Sequence, residues 1–107
     1  MNNSTPKLIS VVIPVYNESL NIPIIHRELT TVFATLPSYS YEILFIDDGS
    51  RDDSAKVASA IAEEDSHTQL IEFSRNFGKE AATTAGFHHA KGDAVMCIDA
   101  DLQHPPH

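Results

Sequence analysis

Four short apolar runs set the terms for what this chain can fold into. They are Leu8–Ile13, Glu42–Ile46, Gln69–Phe73 and Ala94–Ile98, rich in β-branched residues. Most of their residues are apolar rather than alternating with polar ones, which is how strands covered on both faces of a parallel sheet read. Parallel neighbours need a crossover connection, usually a helix, and a helical pattern fills each gap. Over 21–36 the apolar stripe is Ile25, Leu29, Val32, Phe33 and Leu36, with Asn21 placed to cap and Pro23 in the first turn. Over 54–64 it is Val57, Ala58, Ile61 and Ala62, behind Asp52 and Asp53 at the positive helix end. The third helix, 78–90, has a small face of Ala81, Ala82, Ala85 and Gly86, and Gly92 is expected to stop it.

The predicted order is β-α-β-α-β-α-β. Right-handed crossovers make this an α/β fold, an open, mainly parallel Rossmann-like sheet with helices on both faces. Residues 1–7 read as a disordered tail, 8–107 as one domain, and 37–41 as a surface loop. Cys97, inside the last run, is expected to pack as a small buried hydrophobe.

Composition narrows the function. Seven basic and fifteen acidic residues give a formal charge of −8, which argues against nucleic acid or an anionic membrane as a partner bound by bulk charge. A single cysteine excludes an internal disulfide framework and fits a reducing compartment. No apolar run approaches the roughly 20 residues that span a bilayer, and the polar start lacks a signal-peptide core. A cytoplasmic domain is the expectation.

In such sheets ligands bind at the carboxyl ends of the strands, near the point where strand order reverses. The four runs are followed by Pro14-Val-Tyr-Asn-Glu18, Asp47-Asp-Gly-Ser-Arg-Asp-Asp53, Ser74-Arg-Asn-Phe-Gly-Lys79 and Asp99-Ala-Asp-Leu-Gln103. Every run ends in chemically capable residues, and the opposite edge has none comparable. Asp99 and Asp101 put two carboxylates two positions apart, able to face one hard cation, with Gln103 offering an amide oxygen as a third ligand. Mg²⁺ or Mn²⁺ held so keeps positions open for phosphate oxygens. Asp47-Asp48-Gly49-Ser50 reads equally as a turn that starts a helix or as carboxylates for a base or ribose. Tyr16 and Glu18 either contact a base or decorate a loop. Arg75 and Lys79, two cations in an acidic protein, suggest a diphosphate rather than a solvated helix start. The GxGxxG fingerprint and the P-loop are both absent. Adjacent His88 and His89, with His104 and His107 in a proline-broken tail, make a structural zinc site a poor fit.

Taken together, Val12–Glu18, Ile46–Asp52, Ser74–Lys79 and Asp99–Pro106 resemble family 2 glycosyltransferases. The closest likeness is to the branch of dolichyl-phosphate mannose synthase and the bacterial polyprenyl-phosphate glycosyltransferases. The resemblance implies the nucleotide-binding half of a GT-A fold and a UDP- or GDP-linked sugar donor. Pro14, Tyr16, Asn17 and Glu18 match the nucleotide-binding first loop, Asp47 and Asp48 the base and ribose contacts, and Arg75 and Lys79 positions near the donor. Asp99 and Asp101 match the catalytic Asp-x-Asp metal motif, with Gln103 as third ligand. The implied acceptor is a polyprenyl phosphate, attacking with inversion at the cytoplasmic face of a membrane. A saccharide acceptor, or a nucleotide-binding domain without turnover, remains the alternative. Because members of this family continue beyond Pro106, a poorly active fragment is expected, its open sheet edge available for self-association.

Overall fold

The β-branched runs pair in parallel. The computed structural model describes residues 7–101, in which β1 (Lys7–Val15), β2 (Tyr39–Asp47), β3 (Thr68–Glu72) and β4 (Ala94–Cys97) form one sheet in the order β3-β2-β1-β4. Lys7, read from sequence as part of the tail, opens β1, and Tyr39–Tyr41, read as loop, begin β2. Registers run Val15 beside Asp47, Asp47 beside Glu72 and Val12 beside Cys97. The order grows outward from β1 to β3, then returns to place β4 on the other side of β1. That reversal opens a crevice between the ends of β1 and β4.

Helices cover both faces. Helices α1 (Ile22–Ala34) and α2 (Ser54–Glu64) take one side, where Ile22, Ile25, Phe33 and Ala58 close over Val11, Ile13, Ile43 and Phe45. Helix α3 (Lys79–His89) takes the other, setting Ala82 against Val12, Leu44 and Ile46. The small face expected of α3 has a geometric cause: a Cβ on Gly86 would stand 2.2 Å from Val12 Cγ1. On α1 the predicted stripe is only partly used, since Val32 and Leu36 stay exposed. Asn21 does sit at the N-cap of α1, but its side chain makes no cap hydrogen bond and instead donates to Glu18 Oε1 at 2.8 Å.

The expectation for Cys97 fails. Every residue of β4 is exposed, Cys97 included, because β4 is an edge strand and the described helices pack on β1, β2 and β3. Its start is nonetheless fixed by a buried polar knot. Glu42 accepts from Ser10 Oγ at 2.5 Å and from the Lys91 amide at 2.7 Å, while Ser10 Oγ accepts from the Gly92 amide at 2.8 Å. Gly92 does not end α3, whose C-cap is Ala90. It is glycine where a Cβ would lie 2.6 Å from Ser10 Oγ.

At the same end of the sheet, Asp65 fastens α1 to the α2–β3 junction. It takes His26 Nε2 at 2.7 Å, His67 Nδ1 at 3.2 Å and Thr68 Oγ1 at 2.8 Å, and His67 stacks on Tyr41, which stacks on Phe33. Burial pushes the Asp65 carboxyl up, but hydrogen bonds from His26, His67 and Thr68 outweigh it and hold the group well below the usual range. A depressed folded-state value stabilises the fold above the unfolded carboxyl's pKa of about 3.9, and that contribution fades as pH falls below it. The urea-midpoint advantage of the wild-type chain over Asp65→Asn is therefore expected to shrink between pH 5 and pH 3. An advantage that grows on acidification contradicts this assignment.

Candidate functional site at the strand-order reversal

The crevice between β1 and β4 is an open cleft lined by Pro14, Val15, Tyr16, Glu18, Asp48, Lys79, Asp99, Ala100 and Asp101. Its volume of ≈ 180 Å³ is below the roughly 300–1,000 Å³ of typical ligand pockets. Pro14, Tyr16, Glu18, Asp48, Lys79, Asp99 and Asp101, all singled out from the sequence, are among the lining residues.

The Asp-x-Asp carboxylates reach the cleft by a route other than strand alternation. β4 ends at Cys97, and Ala100 and Asp101 lie in a turn. Ala100 buries itself in the core beside α1 and α2, which pins the turn and leaves Asp99 and Asp101 on the exposed side of it, lining the cleft. Two carboxylates flanking one turn residue are hard oxygen donors of the kind that Mg²⁺ and Mn²⁺ accept while keeping water or phosphate in the other positions. Among the described residues no cluster of three or more His, Cys, Asp or Glu side chains is arranged to hold a metal alone. The third predicted ligand, Gln103, lies outside the described residues, as do His104 and His107. The donor set present thus fits a cation shared with a phosphate-bearing ligand rather than a closed structural site.

Lys79, the first residue of α3, reaches across the cleft and pairs through Nζ with Asp99 Oδ1. That hydrogen bond, with the charges of Asp99 and Asp101 beside it, holds the ammonium above the ordinary lysine value. Arg75 is placed differently. Its guanidinium lies 4.6 Å over the Phe77 ring, and Arg75 is not among the residues that line the cleft.

The paired aspartates after β2 divide by strand alternation. Asp47, 2% exposed, accepts the Ser50 amide at 3.1 Å through Oδ2, while its Oδ1 is buried with no hydrogen-bond partner. Asp48, 3% exposed, points to the α3 side and gathers the β3–α3 loop. Its Oδ1 accepts from the Phe77 amide at 2.8 Å, and its Oδ2 from Asn76 Nδ2 and the Gly78 amide, both at 3.0 Å. Asn76 also donates to the Asp48 carbonyl at 3.1 Å.

Asn17 ties the first loop to the second. With φ of 56°, it donates its amide to Ser50 Oγ and takes the Arg51 amide on Oδ1, both at 2.8 Å. Its neighbours follow the same pattern: the Glu18 amide donates to Ser54 Oγ at 2.8 Å and the Ser19 amide to Asp52 Oδ2 at 3.3 Å. Ser50, Ser54, Asp52 and Asn76 were missed as site-building residues. The signal available was that two polar loops at adjacent strand ends expose amides that only each other's side chains can satisfy.

Comparison with known proteins agrees with this geometry. The chain is 50% identical over 101 residues to an undecaprenyl-phosphate 4-deoxy-4-formamido-L-arabinose transferase of Klebsiella pneumoniae (strain 342), covering 94% of this chain and 31% of that protein. It thus spans about a third of the length of the curated relatives it matches. Among solved structures, the mannosyltransferase PcManGT from Pyrobaculum calidifontis, in complex with GDP-Man and Mn²⁺, superposes with a TM-score of 0.67 at 26% identity over 90% of this chain and 28% of that one. S. aureus TarS 1-349 superposes with a TM-score of 0.74 at 21% identity, covering 87% of this chain and 27% of that one, a likeness of fold alone. A model described as glycosyl transferase family 2 matches residues 10–107, nearly every residue that builds the sheet and its cleft, and the chain belongs to that family.

Proposed function

We propose that this chain carries the donor side of an inverting glycosyltransferase that moves a sugar from a nucleoside diphosphate to a polyprenyl phosphate, with a divalent cation at Asp99 and Asp101. The observation that carries the reading is the reversal of strand order, which brings Glu18, Lys79, Asp99 and Asp101 from three different loops into one cleft. Relatives named for undecaprenyl-phosphate sugar transfer support the acceptor class, and a neighbour solved with GDP-Man and Mn²⁺ supports the donor class and the cation.

The roles follow from chemistry. When bound, the cation neutralises the charge that builds on the departing diphosphate. Asp99 and Asp101 hold it, with Gln103 assigned as the third ligand. Lys79 supplies three N–H donors at the same place. Tyr16, Pro14 and Glu18 form the wall on which the nucleoside rests, and Asp47, with an unsatisfied buried oxygen, is the carboxylate with acceptor capacity to spare. Asn17 and Asp48 hold the loops around it, and Arg75, outside the cleft lining, packs on Phe77 within the β3–α3 loop. A lipid phosphate is already a nucleophile at neutral pH, so the reaction asks for no strong general base.

Titrating UDP, GDP and their sugars with and without Mn²⁺ tests the reading. Metal-dependent binding is expected, and Asp101→Ala should weaken it by at least about 10-fold, as loss of metal-supporting groups does. No nucleotide binding under any condition would overturn the donor-side reading.

A further inference from the structure

Lys79 occupies the place at Asp99 that a cation would take. Two observations show that this arrangement is built rather than incidental. The β3–α3 loop that precedes Lys79 is clamped by Asp48 through the Phe77 and Gly78 amides, and Gly78 turns the chain with φ of 106° so that Lys79 begins α3 at the cleft. The Asp99 turn is in turn pinned by buried Ala100. Both ends of the pair are therefore fixed by the fold, and only the flexible lysine stem between them can move.

We infer that Lys79 is an exchangeable internal counter-ion: it neutralises Asp99 in the cation-free chain, yields that carboxylate when the divalent cation enters, and carries its released ammonium to the donor's diphosphate. The inference rests on the reading of Asp99 and Asp101 as cation ligands. Its chemistry involves no bond making, only an exchange of partners. The ammonium leaves one carboxylate oxygen and meets a phosphate oxygen, while the cation takes its place. The pair is exposed, with side chains 64% and 52% accessible, so solvent keeps it weak enough to open. Because Lys79 opposes the cation before the donor arrives and joins the donor afterwards, it couples the two ligands: each binds better in the presence of the other, by the same factor.

Mn²⁺ binding, read from the free-ion electron paramagnetic resonance signal, tests this without any measurement of activity. Without nucleotide, Lys79→Met is expected to bind Mn²⁺ about three-fold more tightly than wild type, the scale of a weak exposed pair. Lys79→Arg should stay near wild type. Lys91→Met removes an equal charge from the opposite end of β4 and should change little. With a nucleoside diphosphate present, the advantage of Lys79→Met should vanish or reverse. Mn²⁺ affinity in Lys79→Met that equals or falls below wild type overturns the counter-ion role while leaving the metal site standing. An equal gain in Lys91→Met also overturns it, as a bulk-charge effect. Failure of every chain to bind Mn²⁺, with or without nucleotide, overturns the metal reading itself and this inference with it.

Discussion

Gly49→Ala is expected to cost the fold about 3 kcal/mol or more, the sum of a left-handed backbone penalty and overpacking. Gly49 has φ of 71°, a region that residues with a Cβ enter at a penalty. A Cβ there would also stand 2.3 Å from the Arg75 carbonyl carbon, 2.4 Å from the Asn76 amide nitrogen and 2.8 Å from Arg75 Cα. All three are backbone atoms, so no side-chain rotation relieves the clash. Either the turn after β2 or the loop after β3 must move, and the two are stitched together by Asp48 and Asn76. Urea unfolding reads the effect as a lower midpoint at unchanged slope. A loss below about 1 kcal/mol would show that the loop gives way freely, and that Gly49 does not set its path.

Asp48→Ala should strike stability and ligand binding together. Removing the carboxylate takes the acceptor away from the Phe77 and Gly78 amides and the Asn76 side chain, all part-buried hydrogen bonds, at a cost of about 1 kcal/mol or more. The loop it releases carries Lys79, so metal-dependent nucleotide binding is expected to fall as well, by about 10-fold or more, since misplacement by an ångström disrupts a positioned site. A thermal melt and a nucleotide titration on the same sample separate two roles. A variant as stable as wild type that binds nucleotide poorly would mean that Asp48 meets the ligand directly. A variant that is unstable and binds poorly means that it holds the loop. Asp48→Asn keeps the shape but turns a donor toward other donors, and should recover little of the loss.

The strand-helix alternation was legible because each element announces itself locally. Short β-branched apolar runs such as Val11–Ile13 and Ile43–Ile46 read as strands buried on both faces, and the stripe of α2 matches one helical side. The cleft was legible for a topological reason: polar residues crowd the strand ends on one edge alone. What stayed hidden were relations between segments distant in sequence. Nothing near Cys97 says that its strand will sit at an edge with bare faces, since that depends on which strand it joins. Likewise nothing beside Asp48 in sequence announces the β3–α3 loop amides that its carboxylate accepts from. Asn17 looks like a donor-loop residue, yet its side-chain oxygen is taken by the Arg51 amide across the gap. Asp99 and Asp101 do line the cleft, but a turn anchored by Ala100 delivers them there rather than strand alternation.

The strand order has a consequence for assembly. β1, β2 and β3 pair with neighbours in sequence, but β4 must return to the first strand, setting Cys97 beside Val12. Contacts across so much chain form late, because closing the intervening loop costs entropy before any pairing repays it. A chain that has assembled only its first three strands has a sheet and the Pro14–Glu18 side of the cleft but no Asp99 or Asp101 at the crevice. Site completion and closure of the sheet are one event. Any ligand that prefers the joined carboxylates must then, by mass action, pull the last strand home.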